Sequence, residues 1–331
     1  MTKRLIRPTA LKRLKDTYRD KGVLLPHLER HVMQTPLADV RPDDHSMSFM
    51  HASDLAKADW CGRHDYYRIT GTPLDREAPR NPSFRLENVL AEGHVIHEKY
   101  QRWLWEMGCL WGDWQCLDCH HRFGALSPRA CQFCLSTRII YKEVTYRHRN
   151  YMIEGHTDGV VHGLDGWDGL VEIKSIGMAS LRFEAPRLYQ QYLNGTSAED
   201  IWFQIKRPFP SHLRQGMFYL WMAWPRYEQI AFLYEAKFNQ SVKEFVVGYN
   251  KRFIAQRLEE ASEVADAVRA GDPPPRPQWA EDAVTRICQS CEYRRTCWQL
   301  GAAHGTKDTP DPTVIVRRAS TARRRRALRP A

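Results

Sequence analysis

Tyr151-Met-Ile-Glu-Gly-His-Thr-Asp-Gly-Val-Val161 and Leu170-Val-Glu-Ile-Lys-Ser-Ile176 are two apolar-rich runs separated by the eight residues His162-Gly-Leu-Asp-Gly-Trp-Asp-Gly169. Turn-forming residues dominate the connection, so the runs are expected to be the two strands of a hairpin. Side chains alternate along a strand, which puts Glu172 and Lys174 on one face and turns Val171 and Ile173 toward the core. Pairing then brings Asp158, on the neighbouring strand, toward Glu172. Two hard carboxylates in close approach suit Mg²⁺ or Mn²⁺, which take oxygen ligands and retain water, and the carbonyl of Ile173 adds a backbone oxygen. Such a cation lowers the pKa of water and faces the charge that develops when a phosphodiester is cut. Lys174 either positions or deprotonates that water, or neutralises the developing charge. Both roles stand open at this level.

Outward from the hairpin, Glu235-Ala-Lys237 repeats the Glu-x-Lys spacing, but no Asp occurs between residues 201 and 265. It is expected to be an exposed strand face with paired charges. Upstream, Leu86, Val89, Leu90, Val95, Ile96, Tyr100, Trp103 and Leu104 have helical spacing over 86–105, a helix that carries His94 and His97. A lone helical histidine also suits a satisfied core position, and these two lie near one face. Ser53 to Tyr67 is expected to be a helix capped by Ser53 or Asp54 and running through Cys61. Helical stretches flank Gln215, and Gln215 and Tyr219 share a helix face at i and i+4. A second hairpin is expected over 229–249, then a charged helix over 250–270 ended by Gly271 and three prolines.

Eight of the nine cysteines fall into two groups and one outlier, with Cys61 standing apart upstream. Cys116-x2-Cys119 and Cys131-x2-Cys134 have the spacing of a structural Zn²⁺ module with a closed coordination sphere, which fits structure and DNA contact and not catalysis. Cys288-x2-Cys291 and Cys297 form a set of three that needs a fourth ligand, with His304 nearby as one choice. Cys109 belongs to neither and is expected to be a buried thiol.

The chain has 331 residues, 43% of them apolar, and a net charge of +10. That allows a full core and favours an anionic partner, which nucleic acid or an acidic membrane surface satisfies. The charged amino terminus does not read as a signal peptide, and no window approaches a membrane span, so a soluble, cytoplasmic protein is expected. The Leu11-Lys-Arg-Leu-Lys15 region reads as a basic amphipathic helix over residues 1 to about 30, either a solvated face or a DNA-contacting arm. Arg323 to Arg326 end a basic tail, expected to be disordered.

Gly93-x3-His97, Gly155-x2-Asp158, Glu172-x-Lys174 and Gln215-x3-Tyr219 follow one another in an order that resembles the RecB-like, Cas4-like branch of the PD-(D/E)XK nucleases. The resemblance covers roughly residues 51 to 300. It implies a restriction-endonuclease-like α/β core in which a central mixed sheet flanked by helices carries the hairpin. It implies His97, Asp158 and Glu172 as ligands of Mg²⁺ or Mn²⁺, with Gln215 and Tyr219 at the active site or on the DNA backbone. It also supplies Cys61 as the fourth ligand, with Cys288, Cys291 and Cys297, of a structural [4Fe–4S] cluster. The cluster would close a loop of more than 220 residues. The typical Cas4 pattern lacks the zinc insert, which is expected to project near the DNA path.

The expected organisation is an N-terminal extension (1–50), a first part of the nuclease domain (51–111), the zinc insert (112–138), the catalytic core with the C-terminal cysteines (139–300) and the tail (301–331). The resemblance implies a metal-dependent DNA exonuclease acting on ends in recombination, repair or phage DNA processing, in a bacterial or phage-infected cell. Its partners would be single-stranded DNA or duplex ends, with a helicase, annealing or integrase partner and an oligomer also admitted. Cas4-type trimming before integration, an endonuclease, and a non-catalytic zinc and iron–sulfur DNA-binding scaffold are the alternatives.

Overall fold

The computed structural model describes residues 24–34, 48–75, 83–280 and 282–300. The basic segment before residue 24 and the tail from 301, with His304, lie outside these residues. Ten strands are described: β1 (Met50–His51), β2 (Leu110–Cys116), β3 (Arg122–Leu126), β4 (Ile139–Lys142), β5 (Val144–His148), β6 (Ile153–Thr157), β7 (Gly159–Leu164), β8 (Trp167–Ile176), β9 (Gln229–Ala236) and β10 (Val242–Gly248). The helices of eight residues or more are α1 (Leu25–Gln34), α2 (Gly62–Ile69), α3 (Phe84–Glu106), α4 (Pro186–Leu193), α5 (Pro210–Ala223) and α6 (Ala255–Ala270). None is long and apolar enough to cross a membrane.

The large sheet has the order β10-β9-β8-β7-β2-β3, with β4 also on β2, and a small sheet has the order β1-β6-β5. The β8–β9 pair is parallel and the other ladders of the large sheet are antiparallel, so the sheet is mixed. Its centre is covered on both faces. Val171 and Ile173 pack with Ile96 and Tyr100 of α3, whereas Leu170, Phe232 and Tyr234 join Met217 and Phe218 of α5 in the main core. Alternation along β8 therefore feeds two cores, which is why this strand is buried on both faces.

Two expected elements differ. The run 151–161 is two strands, broken at Asp158: β6 pairs in the small sheet, and β7 pairs with β8 in the large one. The helix expected over 53–67 is a four-residue helix (Ala52–Leu55) and α2, separated by a turn where Trp60 is buried and its Nε1–H donates to Asp65 at 2.7 Å. Satisfying the indole inside the core takes precedence over helix continuity. The segment 112–138 follows directly on Leu110 and Trp111 of β2, which pair with β7 and so tie it to the central sheet. The 229–249 hairpin is β9 and β10, and α6 ends at Gly271 in the left-handed conformation (φ 73°).

The small sheet, the short helix Ala52–Leu55 and α5 meet tightly at Gly155. A Cβ there would lie 2.4 Å from Cε1 of Tyr219 and 3.0 Å from Cβ of Ala52. Gly155→Ala should cost about 1–3 kcal/mol in overpacking, more than the roughly 0.5–1 kcal/mol gained in strand propensity. Chemical denaturation should show a lower midpoint at unchanged slope; an unchanged or raised midpoint would refute the tight contact.

Candidate active site and metal centres

Gly93, His97 and Gln101 recur at four-residue spacing and form one stripe of α3. At Gly93 an added Cβ would meet Ser175 Oγ of β8 at 3.3 Å, so the glycine lets helix and strand approach closely. One turn later His97 Nδ1 lies 3.1 Å from Asp158 Oδ1, and the Gln101 amide donates to the Asp158 carbonyl at 2.8 Å. His97 therefore meets the acidic hairpin.

Asp158 sits at the break between β6 and β7, and the next residue, Gly159, pairs with Val171. That register sets Asp158 beside Glu172. Ile173 enters the site through its amide, which donates to Asp158 Oδ2 at 2.6 Å. Burial opposes the charge on Asp158, but His97, Lys174 and this N–H together hold its carboxyl below the usual range. For Glu172 the balance goes the other way: burial, then the Asp158 charge, push it up to about 8. Its Oε1 is 2.6 Å from the Lys174 ammonium, while Oε2 is buried with no hydrogen-bond partner. Burial alone would lower Lys174, yet Glu172 and Asp158 hold it above its ordinary value.

Lys174 Nζ also donates to Gln215 Oε1 at 3.0 Å, and Gln215 Nε2–H donates to the Tyr219 hydroxyl at 2.6 Å. An ammonium has no acceptor, so it fixes which end of the amide faces it. Tyr219 is buried, which pushes its phenol well up and keeps it neutral. Gln215 and Tyr219 thus support Lys174 from within α5.

His97, Glu143 and Asp158 each present a ligand atom, all within 4.8 Å of one another. Glu143 was not anticipated. It lies between β4 and β5 in no motif, and the available signal was that it is the one acid between Asp118 and Glu154. The set differs from the expected His97, Asp158 and Glu172 because Lys174 takes up the near oxygen of Glu172. The orphaned Glu172 Oε2 and the hard oxygen donors fit a divalent cation beside this trio.

Glu235-Ala-Lys237 departs from the exposed face expected for it. Glu235 is 2% exposed and lies 2.5 Å from Lys99 Nζ, and Lys237 donates to the Val89 carbonyl at 2.6 Å. Both pairs hold α3 against β9. Their burial follows from α3 covering this part of the sheet.

Cys116, Cys119, Cys131 and Cys134 offer sulfurs within 4.8 Å of one another, with Cys116–Cys134 at 3.5 Å and Cys119–Cys131 at 3.6 Å. A tetrahedral Zn²⁺ with Zn–S bonds near 2.3 Å needs sulfur separations of about 3.8 Å. The backbone N–H groups of Cys119 and Asp118 donate to Cys116 Sγ, and that of Phe133 donates to Cys131 Sγ. Those bonds hold Cys116 down at about 6, ready as a thiolate. His120 (φ 60°) and Leu135 (φ 61°) occupy equivalent left-handed positions after each pair, so the two turns repeat one geometry.

Cys61, Cys288, Cys291 and Cys297 line one cavity of about 300 Å³ with Trp60 and Tyr293. Among the described residues they do not form a group as tight as the zinc-type quartet. Four cysteines lining one cavity are compatible with a [4Fe–4S] group, whose ligands are cysteine thiolates. Burial pushes Cys61 and Cys291 up to about 11. The surrounding chain is already joined: Asp75 accepts from the N–H of Thr296 at 3.1 Å, and His64 Nε2 is 3.0 Å from Glu292 Oε1. Cys109 is buried and near neither group, and its thiol donates to the Leu104 carbonyl at 3.4 Å.

Neither a protein-family model nor a curated sequence matches the chain. Among solved structures, SSO0001 aligns at TM-score 0.36 and 13% identity over 82% of this chain and 95% of that one. The alkaline exonuclease LHK-Exo from Laribacter hongkongensis aligns at TM-score 0.35 and 15% identity over 68% of this chain and 90% of that one. Its complex with dAMP gives TM-score 0.36 and 14% identity over the same shares. At this distance the chemistry has to come from the residues themselves.

Two outcomes are expected. Glu172, raised to about 8, and His97, held above its usual value by Asp158, carry protons that a divalent cation must displace. Mn²⁺ affinity by titration calorimetry should therefore rise with pH and level off above about 8. The same sign means that chelated protein loses stability as pH rises from 4.5 toward about 8, and that Mn²⁺ restores it. Affinity flat from pH 6 to pH 9 would contradict this coupling. Secondly, Cys131→Ser should lower bound zinc and leave the visible iron–sulfur absorbance, whereas Cys61→Ser should do the reverse. Loss of both metals from either variant would argue against two separate centres.

Proposed function

We propose that the chain is a divalent-cation-dependent deoxyribonuclease that hydrolyses phosphodiester bonds, and that it acts as an exonuclease on DNA ends. The observation that carries this reading is the grouping of half-buried His97 and Glu143 with buried Asp158 and the orphaned Glu172 carboxylate, beside a lysine held by Gln215. A binding scaffold gains nothing from burying acids where phosphate must come close, because the like charges repel.

Bound there, Mg²⁺ or Mn²⁺ supplies a lowered water pKa and positive charge opposite the reacting phosphate. His97, Glu143 and Asp158 would hold it, with Glu172 Oε2 as a further oxygen donor. Asp158 keeps its charge because His97, Lys174 and the Ile173 N–H favour the carboxylate. Lys174 donates a hydrogen bond to the attacking water or to a phosphate oxygen. Glu172 and Asp158 keep it protonated, which favours this donor role over that of a base. Gln215 and Tyr219 aim the ammonium from a buried, rigid helix, so little reorganisation is needed when charge develops.

End-directed action rests on the resemblance of the four motifs to nucleases that process ends, and the net charge of +10 suits a polyanion. The iron–sulfur and zinc groups serve structure in this reading. Cytoplasmic location, expected from the charged amino terminus, and a helicase, annealing or integrase partner remain part of the proposal.

The test is anaerobically purified protein with end-labelled linear and closed circular DNA in Mg²⁺ or Mn²⁺. Wild type should degrade linear DNA and spare circles. Lys174→Ala should lose about 100-fold or more of the rate with DNA binding retained. Glu143→Ala should weaken Mn²⁺ binding and cut the rate at low metal. Cutting of circles would replace the exonuclease by an endonuclease; binding without cutting would replace both by the scaffold.

A further inference from the structure

α5 continues the Gln215–Tyr219 stripe one turn toward its amino terminus, at His212. His212, Gln215 and Tyr219 are spaced i, i+3 and i+7 and so face one way. The stripe passes from buried to open: Tyr219 is 3% exposed, Gln215 9%, and His212 is half-buried. Opposite it, Lys174 of β8 and Tyr234 of β9 are direct partners in the parallel ladder, so their side chains leave the sheet on one face. Lys174 reaches Gln215 and Tyr234 reaches His212, and the two contacts are one turn apart along the helix.

The hydrogen bonds at Tyr234 decide the form of His212. The Phe209 N–H donates to the Tyr234 hydroxyl oxygen at 2.9 Å, and the same oxygen lies 2.5 Å from His212 Nδ1. Burial pushes the phenol up, so it keeps its proton. That proton has His212 Nδ1 as its acceptor, which requires an unprotonated Nδ1 and places the imidazole hydrogen on Nε2. Burial and the nearby Lys174 charge push His212 well down, consistent with the neutral ring. Nε2 has no hydrogen-bond partner among the described residues and is not sealed from solvent. Glu184, the acid nearest along this face, accepts from the Ser211 hydroxyl. The ring is thus a neutral, oriented donor with its free N–H at the open end of the stripe that ends in Lys174.

We propose that His212 contacts the substrate, its Nε2–H donating to a non-bridging phosphate oxygen of the nucleic-acid strand lying beside Lys174, with Tyr234 as the positioning residue that sets the tautomer. The proposal deepens the nuclease reading and rests on it. A neutral donor suits this place, since a second full cation next to Lys174 would be repelled.

The side-chain amides of glutamine and asparagine separate contact from packing, because the first reaches the Nε2 position and the second the Nδ1 position. Cleavage of end-labelled DNA with Mn²⁺, and DNA binding with Ca²⁺, are measured for wild type, His212→Gln, His212→Asn and Tyr234→Phe beside Lys174→Ala. His212→Gln should keep kcat/KM within a few-fold. His212→Asn should lose about ten- to a hundredfold, the range for a hydrogen bond to a charged group, with KM rising and Mn²⁺ affinity unchanged. In ¹⁵N spectra of wild type, His212 should show the Nε2–H tautomer, and Tyr234→Phe should mix the two.

Equal activity of the Asn and Gln variants, or an Nδ1–H tautomer, overturns the proposal even where Lys174→Ala is inactive and the nuclease reading stands. Equal loss in both variants, with lowered Tm, assigns His212 to packing and overturns it likewise. A wild type that neither binds nor cuts DNA removes both readings.

Discussion

Two carboxylates, Asp158 and Glu172, are buried side by side, and most of the surrounding architecture answers to the difficulty of holding them there. Isolated ions in a core are very unfavourable, and like charges add to the cost. Lys174, the Ile173 amide and His97 supply the compensating donors, each from a different geometric source. Lys174 comes from strand alternation, the Ile173 amide from the β7–β8 register, and His97 from a helix crossing the sheet. One oxygen, Glu172 Oε2, remains without a donor. That residual imbalance is compatible with a cation at the site, which a buried salt bridge alone would not need.

Because the compensation comes from separate elements, their relative placement matters as much as the residues. Gly93 allows α3 to approach β8, and Glu235 with Lys99 holds the helix on the adjacent strand. Gly155 makes room for the Tyr219 ring, so the strand that delivers Asp158 and the helix that aims Lys174 interlock. The break at Asp158 transfers the chain from the small sheet to the large one. The two sheets therefore converge on the acid itself.

The two cysteine groups act at a distance from this cluster and in different ways. The four thiols of residues 116–134 terminate β2 and its neighbours, so a metal there would order the edge of the central sheet. Those of Cys61 and residues 288–297 surround a cavity between segments far apart in sequence, where Asp75, His64 and Glu292 already bind the chain together. Closing a long loop removes chain entropy that grows only slowly with length, so much of such a site's effect comes from ordering the local thiols and aromatics.

Periodicity and spacing determined a good deal by themselves. They located the β7–β8 hairpin and the 229–249 hairpin, the helix bearing His97, the end of α6 at Gly271, and the Cys116–Cys134 quartet, because each depends on residues within about one or two turns or strands of one another. Tertiary structure alone decided the rest. Glu143 joins His97 and Asp158 through pairing of distant segments, and Glu235 is buried only because α3 lies over it. The strand at 151–161 divides because its two halves find different partners. His212 meets the hydroxyl of Tyr234, 22 residues away, because the parallel ladder sets that tyrosine beside Lys174, and no local pattern encodes this. Burial and hydrogen bonding of polar groups are properties of long-range packing, and short-range pattern carries no record of them.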